Sequence, residues 1–168
     1  MRDPRISAAK AAERLKARGE RIAVAESSAG GLISAALLAV PGASTYYAGG
    51  GVIYSARAFR GLLNLDRESL GGIRSSSEPY AAFLAETIRT KHRVEWGLAE
   101  TGAAGPDGNG YGDPAGHTCL AVAGPVTLVR TLRTGTSDRW TNMNWFADAA
   151  LELLIAALET APVINKKS

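Results

Sequence analysis

Two periods of apolar residues run through the chain. Ala8, Ala11 and Leu15 recur at helical spacing over 7–18, and Gly19 closes that segment. Residues 21–26 follow as a short apolar run that reads as a buried first strand. The spacing over 30–40 predicts a second helix, stopped by Pro41-Gly42. Residues 45–54 are strand-like, and the run Gly49-Gly50-Gly51 inside them predicts a bulge or a close backbone approach. A short helix over 55–63 comes next. Ser77 then caps a longer helix, with Pro79 in its first turn, that turns Ala82, Leu84, Ala85 and Ile88 inward and ends near residue 92. Residues 94–101 form a strand, 102–116 a glycine-rich loop, and 117–123 and 126–132 two strands around Gly124-Pro125. Ser137-Asp138 opens a last helix that runs to about 159.

Helices alternating with apolar strands predict a three-layer α/β/α sandwich around a central sheet, mostly parallel. The turn at Gly124-Pro125 pairs the last two strands as an antiparallel hairpin, which makes the sheet mixed. No linker or repeat divides the chain. Residues 1–168 therefore read as one domain with its core over about 7–160, and with 162–168 as a fraying tail.

Composition excludes several classes. A hydrophobic fraction of 46% and a charged fraction of 21% are those of a globular protein with a sizeable core. The net charge of +3 is spread over scattered Arg and Lys residues rather than packed into a patch, so no nucleic-acid partner is expected. No apolar run is long enough to span a membrane, and the first residues do not resemble a signal peptide. One cysteine, Cys119, sits in an apolar run and reads as a buried thiol. The expected compartment is the cytoplasm. His92 and His117 lie in no metal-ligand pattern, so neither a metal nor a cofactor is expected. The oligomeric state stays open, a homo-oligomer included.

The segment Ala25-Glu26-Ser27-Ser28-Ala29-Gly30-Gly31 carries the most chemistry. A strand that breaks at small residues and enters a helix leaves backbone N–H groups at the helix start. Such donors favour an anion or a developing oxyanion, and Gly30 and Gly31 admit a ligand close to the main chain. The alternative is an ordinary helix start with a serine cap. In sheets of this kind ligands sit beyond the carboxyl ends of the strands. Those ends bring Ser27-Ser28, Tyr54-Ser55 and Thr101-Gly102 together. The expectation is one cavity lined by Ser27, Tyr54, Ser55, Thr101 and Gly105, with the Gly30 amide pointing into it. Asp107 and Asp113 read as turn residues, and Tyr54 and Trp140 as core or rim aromatics.

Read in order, these segments resemble the C-terminal domain of the competence/damage-inducible protein A (CinA) family, which includes nicotinamide mononucleotide deamidases. The family's Ala-Glu-Ser-Cys-Thr-Gly-Gly is matched by residues Ala25 to Gly31. Its Pro-Gly-Ser-Ser is matched by Pro41-Gly42-Ala43-Ser44, and its Gly-x-Val-x-Tyr-Ser by Gly50-Gly51-Val52-Ile53-Tyr54-Ser55. Its Val-Ser-Glu helix start is matched by Ser76-Ser77-Glu78-Pro79, and its Thr-Gly-Ile-Ala-Gly-Pro by Thr101-Gly102-Ala103-Ala104-Gly105-Pro106. Pro114-Ala115-Gly116-His117 and Ser137-Asp138-Arg139 are looser matches. The resemblance covers about 7–159. It implies hydrolysis of a nucleotide carboxamide with Ser27 as nucleophile. Ser28, Gly30, Gly31, Tyr54, Ser55, Thr101, Gly102, Ala104, Gly105 and Arg139 are then the substrate-binding candidates, and the partner is a small molecule, a nucleotide-like amide.

The chain departs from that pattern at four places. The family's base lysine is replaced by Phe59, which accepts no proton; Arg57 and Arg60 nearby stay protonated. The family's Cys-Thr is Ser28-Ala29, an arginine of the last helix falls near Met143, and a lysine before Pro114 is Asp113. Three readings follow. One is an amidohydrolase in which another group, such as Glu26 or a distant lysine, assists Ser27. The second is a diverged enzyme with another small amide or nucleotide-like substrate. The third is a non-catalytic ligand-binding member. Phe59 is expected where the lysine would reach the serine.

Overall fold

The computed structural model describes residues 2–163. Five strands form one sheet in the order β2-β1-β3-β4-β5. β1 (Ile22–Glu26) lies parallel to both β2 (Tyr47–Val52) and β3 (Trp96–Ala103). β4 (His117–Ala123) runs antiparallel to β3, and β5 (Leu128–Arg133) antiparallel to β4. The mixed sheet predicted from the sequence is therefore present. Its three parallel strands point their carboxyl ends, at Glu26, Val52 and Ala103, to one side.

Alternation along the strands divides the core in two. Val24, Leu98, Leu120 and Val122 face α1 (Pro4–Arg18), α2 (Leu32–Leu38) and α5 (Arg139–Thr160). Ala23, Ala25, Ala99, Cys119 and Ala121 face α3 (Ala56–Leu63) and α4 (Glu78–His92). Small residues on the second face let the helices approach closely. A Cβ on Gly97 would lie 2.0 Å from the Ala85 carbonyl oxygen of α4. The glycine run in β2 serves both purposes expected of it. The register slips between Ile22 and Ala23 against Tyr47 and Gly49, and a Cβ on Gly50 would lie 1.9 Å from the Val24 carbonyl oxygen.

Capping follows side-chain chemistry. Asp3, Ser55, Ser77 and Asp138 accept hydrogen bonds from the first-turn amides of α1, α3, α4 and α5. Asp3-Pro4 moves the start of α1 three residues ahead of the predicted 7. α2 begins at Leu32, not at residue 30, because Gly30 and Gly31 both have positive φ. β3 extends to Ala103 because Gly102 and Ala103 pair with Thr118 and His117. Two 3-10 turns, Ala43–Thr45 and Arg67–Leu70, occupy stretches that the periodicity left undivided. Most of the predicted tail, 164–168, lies outside the described residues. Among the described residues no helix is long and apolar enough to cross a membrane.

Several of the scattered basic residues pair with carboxylates. Arg2 meets Asp148 and Glu152, Arg14 meets Glu159, Arg18 meets the buried Glu20, and Arg74 meets Asp113.

Close packing of Gly97 against α4 predicts that Gly97→Ala loses about 1–3 kcal/mol through overpacking. On the exposed side of α3, a Cβ on Gly61 meets nothing within 4 Å. Gly61→Ala is therefore expected to gain about 0.4–1 kcal/mol from the reduced freedom of the unfolded chain. Urea unfolding of the two variants should move the midpoint in opposite directions.

Candidate active site

The turn after β1 is organised by two carboxylates, both fully buried. Glu26, the last residue of β1, accepts from the amides of Gly31 at 3.1 Å, Ile33 at 2.9 Å and Ser34 at 2.8 Å. It is the cap of α2. Glu100, from the neighbouring strand β3, accepts from the amides of Ser27 at 3.0 Å and Ala29 at 2.7 Å through Oε2. Its Oε1 accepts from the Ser28 hydroxyl, and Thr118 Oγ1 lies 3.2 Å from the same oxygen. Burial pushes the Glu100 carboxyl up from the usual glutamate range, and its hydrogen bonds to Ser28, Ala29 and Ser27 pull the other way.

This arrangement corrects one expectation. The Gly30 amide donates to the Ser27 carbonyl oxygen at 3.0 Å, and the Gly31 amide is taken by Glu26. Neither is available to an anion, and neither glycine lines the cavities described below. Leu32 N–H is also used, by the Ala29 carbonyl. Across 27–34 the Ser28 amide alone has no acceptor among the described residues. It follows Ser27 directly, the position from which a backbone N–H serves an oxyanion beside a nucleophile at a strand-to-helix turn.

Ser27 itself is half-buried and lines a cavity of about 430 Å³. Its hydroxyl has no hydrogen-bond partner among the described residues. Tyr54, Ser55, Thr101 and Gly102 line the same cavity, with Phe59, Arg67, Tyr80 and Tyr111 around them. Gly105 does not. Together with Ser28, Ala104 and Arg139 it lines an adjoining cavity of about 180 Å³, which shares Tyr54 and Gly102 with the first. Arg139, in the first turn of α5, donates to the Gly105 carbonyl and, at 3.1 Å, to the Tyr54 hydroxyl. It thus ties β2's end to the loop after β3. Ser55 has a second duty as the cap of α3, and Thr101 Oγ1 accepts from the Ser76 amide at 3.1 Å.

Phe59 is buried and stacks on Tyr80 and Phe83, with ring centroids 6.4 and 6.2 Å away. It faces the Ser27 cavity, and no lysine is among the residues lining that cavity. Glu26, offered by the sequence as an assisting base, is occupied in capping α2. Asp113, read as a turn residue, is buried and holds the glycine-rich loop. It accepts from Arg74 at 2.8 Å and from Asn109 at 2.9 Å, and the Arg74 guanidinium holds its carboxyl below the usual range. His117 donates from Nε2 to the Ser76 carbonyl at 2.9 Å, while its Nδ1 is buried with no partner among the described residues. Trp140 is exposed and lines a separate apolar groove between α1, α2 and α5 that contains none of the candidate site residues. Among the described residues no group of three or more His, Cys, Asp or Glu side chains could hold a metal ion.

Sequence reasoning missed Glu100 and Arg67. A charged residue interrupting the apolar run Trp96-Gly97-Leu98-Ala99 was the available signal for the first. Arg67 carried no signal, because only the packing of its 3-10 turn against α3 and α4 brings it to the cavity.

The fold recurs in known proteins. A protein of the CinA superfamily from Klebsiella pneumoniae superposes with a TM-score of 0.86 at 28% identity, over 94% of this chain and 99% of that one. The competence/damage inducible protein CihA from Agrobacterium tumefaciens gives 0.85 at 30%, over 95% and 98%. CinA-like proteins of Anaeromyxobacter sp. (strain K) and Acidobacterium capsulatum are 41% and 39% identical over 145 and 140 residues, 86% and 83% of this chain. The chain spans about a third of the length of these curated relatives, 36% and 34%. The profile of the CinA C-terminal domain matches residues 5–158, and the chain belongs to that family.

Proposed function

We propose that the protein is a serine-dependent amidohydrolase for a small carboxamide of the nicotinamide-nucleotide type, working without a lysine base. The observation that carries this reading is the Ser27 hydroxyl followed directly by the Ser28 amide in a strand-to-helix turn, neither of them with a hydrogen-bond partner among the described residues. Ser27 Oγ attacks the amide carbon, and the carbonyl electron pair moves onto oxygen, beside the Ser28 N–H. Water relays the Ser27 proton to the leaving nitrogen as collapse breaks the C–N bond and expels ammonia, and a second water then hydrolyses the acyl-serine to the carboxylate and restores the Ser27 hydroxyl. The aromatic rings of Tyr54, Phe59 and Tyr80 suit a planar heterocycle, and Arg67 and Arg139 suit an anionic substituent. A cavity of about 430 Å³ is of the size that holds such a ligand.

The side chains lining that cavity include none that accepts a proton at neutral pH. The Ser27 proton therefore passes to water, which makes attack slow. Phe59 also favours a second reading, in which the cavity binds a nucleotide-like ligand, or serves a diverged reaction on one.

Ammonia release from nicotinamide mononucleotide should be detectable but slow in the wild type and absent in Ser27→Ala. Equal release from both proteins removes Ser27 as nucleophile, and no release from either favours the ligand-binding reading. General-base assistance contributes about 10²–10⁴-fold. Phe59→Lys is accordingly expected to raise the rate by about 10²-fold, at a cost of a few kcal/mol for the lost ring packing. Rate and thermal midpoint measured on the same preparation separate the two effects; a folded Phe59→Lys with an unchanged rate removes Phe59 as the limiting residue.

A further inference from the structure

Glu100 is a fully buried carboxylate that the hydrolytic chemistry above does not use. Its two oxygens are not equivalent. Oε2 accepts two backbone amides, from Ser27 and Ala29, and can carry no proton while it does so. Oε1 faces two hydroxyls, Ser28 and Thr118. Thr118 has a second acceptor, the Thr101 carbonyl at 3.2 Å. Ser28 has no other partner for its side chain among the described residues. It stands between Glu100 and the small cavity that it lines with Tyr54, Gly105 and Arg139.

A hydroxyl has one proton to donate. With Glu100 ionised, Ser28 spends that proton on Oε1 and offers the cavity only lone pairs. With a proton on Oε1, the carboxyl donates to Ser28, and the Ser28 hydroxyl proton turns outward. We propose that the Glu100–Ser28 pair sets the hydrogen-bond polarity of this cavity: an acceptor that selects a carboxamide N–H when Glu100 is ionised, and a donor that holds a carboxylate when Glu100 is protonated. Resting on the amidohydrolase reading, this makes Ser28 the residue that tells substrate from product. Binding of the product carboxylate then takes up one proton, and release of the product returns it to solvent.

Few charges compete for control of Glu100. On β1 the neighbour is Glu26, whose carboxylate raises the Glu100 pKa further. On β4 the only titratable groups are His117 and Cys119, which face α4 on the other side of the sheet. α2 carries no charged residue. On α5, Arg139 is held at Gly105, and Asp148 is tied to Arg2 and Ser7. Because burial raises the folded-state value above the unfolded one, Glu100 contributes stability that is present below the ordinary glutamate range and lost as pH rises through the folded value. Glu100→Gln still accepts the Ser27 and Ala29 amides on its oxygen and presents an NH₂ to Ser28, which locks the hydroxyl outward. That variant should fold, and it should gain on the wild type in thermal midpoint as pH increases from 4 to 8, values on the order of the ordinary carboxylate range and above it.

The test is calorimetric titration with nicotinamide mononucleotide and with its carboxylate counterpart, from about pH 5.5 to 8.5, across the range above an ordinary carboxyl pKa. The ratio of the two dissociation constants is read, since titration of the shared phosphate cancels. In the wild type the preference for the amide should grow with pH, approaching tenfold per unit above the Glu100 pKa. In Glu100→Gln the ratio should be flat, and shifted about tenfold or more toward the carboxylate at the high end. Ser28→Ala should also be flat. A wild-type ratio independent of pH overturns the proposal, as does the wild-type slope persisting in Glu100→Gln. A slope that survives in Ser28→Ala means plain repulsion by the Glu100 charge and overturns the role of the hydroxyl. Absence of binding by both ligands overturns this proposal and the hydrolytic reading together. Binding with the expected ratio but no ammonia release removes only the hydrolytic reading.

Discussion

Everything at this site hangs on two carboxylates buried under one turn. Taking a carboxylate out of water costs several kcal/mol unless its oxygens are satisfied. Glu26 and Glu100 meet that requirement with backbone amides of the same eight-residue stretch, three from Gly31, Ile33 and Ser34, and two from Ser27 and Ala29. Five amide hydrogen bonds to two buried carboxyl groups leave the turn little freedom to adopt another shape, since each amide would lose its buried acceptor. The same bonds decide which groups are left over. The Ser27 hydroxyl and the Ser28 amide are left without a partner among the described residues.

The sheet supplies these acceptors from adjacent strands. β1 ends at Glu26 and its parallel neighbour β3 passes Glu100 beneath Ser27, on the face where Val24, Leu98 and Leu120 build the core. Thr101, the next residue, points to the opposite face and receives the Ser76 amide. One strand thus braces the turn at Ser27 from one face of the sheet and the far wall of the cavity from the other. Arg139 closes the rim by joining Tyr54 to Gly105.

The glycine-rich loop after β3 is also anchored more firmly than its composition suggests. Asp113 is held by Arg74 and Asn109, and His117 bonds the Ser76 carbonyl. These contacts fix Ser75, Ser76 and Tyr111 along the larger cavity. Phe59, stacked between Tyr80 and Phe83, gives that cavity an apolar wall where a basic side chain would change its chemistry.

Periodicity in the sequence determined the element order, the mixed sheet and the convergence of three strand ends. Those features follow from local rules, since alternation, helical spacing, caps and glycine or proline stops act within a few residues of one another. The family motifs likewise named Ser27, Tyr54, Thr101 and Arg139. Only the tertiary structure decided how the turn's donors are spent. Glu26 and Gly31 are five residues apart, but Glu100 and Ser28 are separated by seventy-two, and only strand pairing brings them together. A donor's availability depends on every acceptor that folding brings near it. The sequence therefore pointed to the Gly30 and Gly31 amides as a binding site, whereas in the structure both are consumed and the Ser28 amide is the one in 27–34 without an acceptor among the described residues.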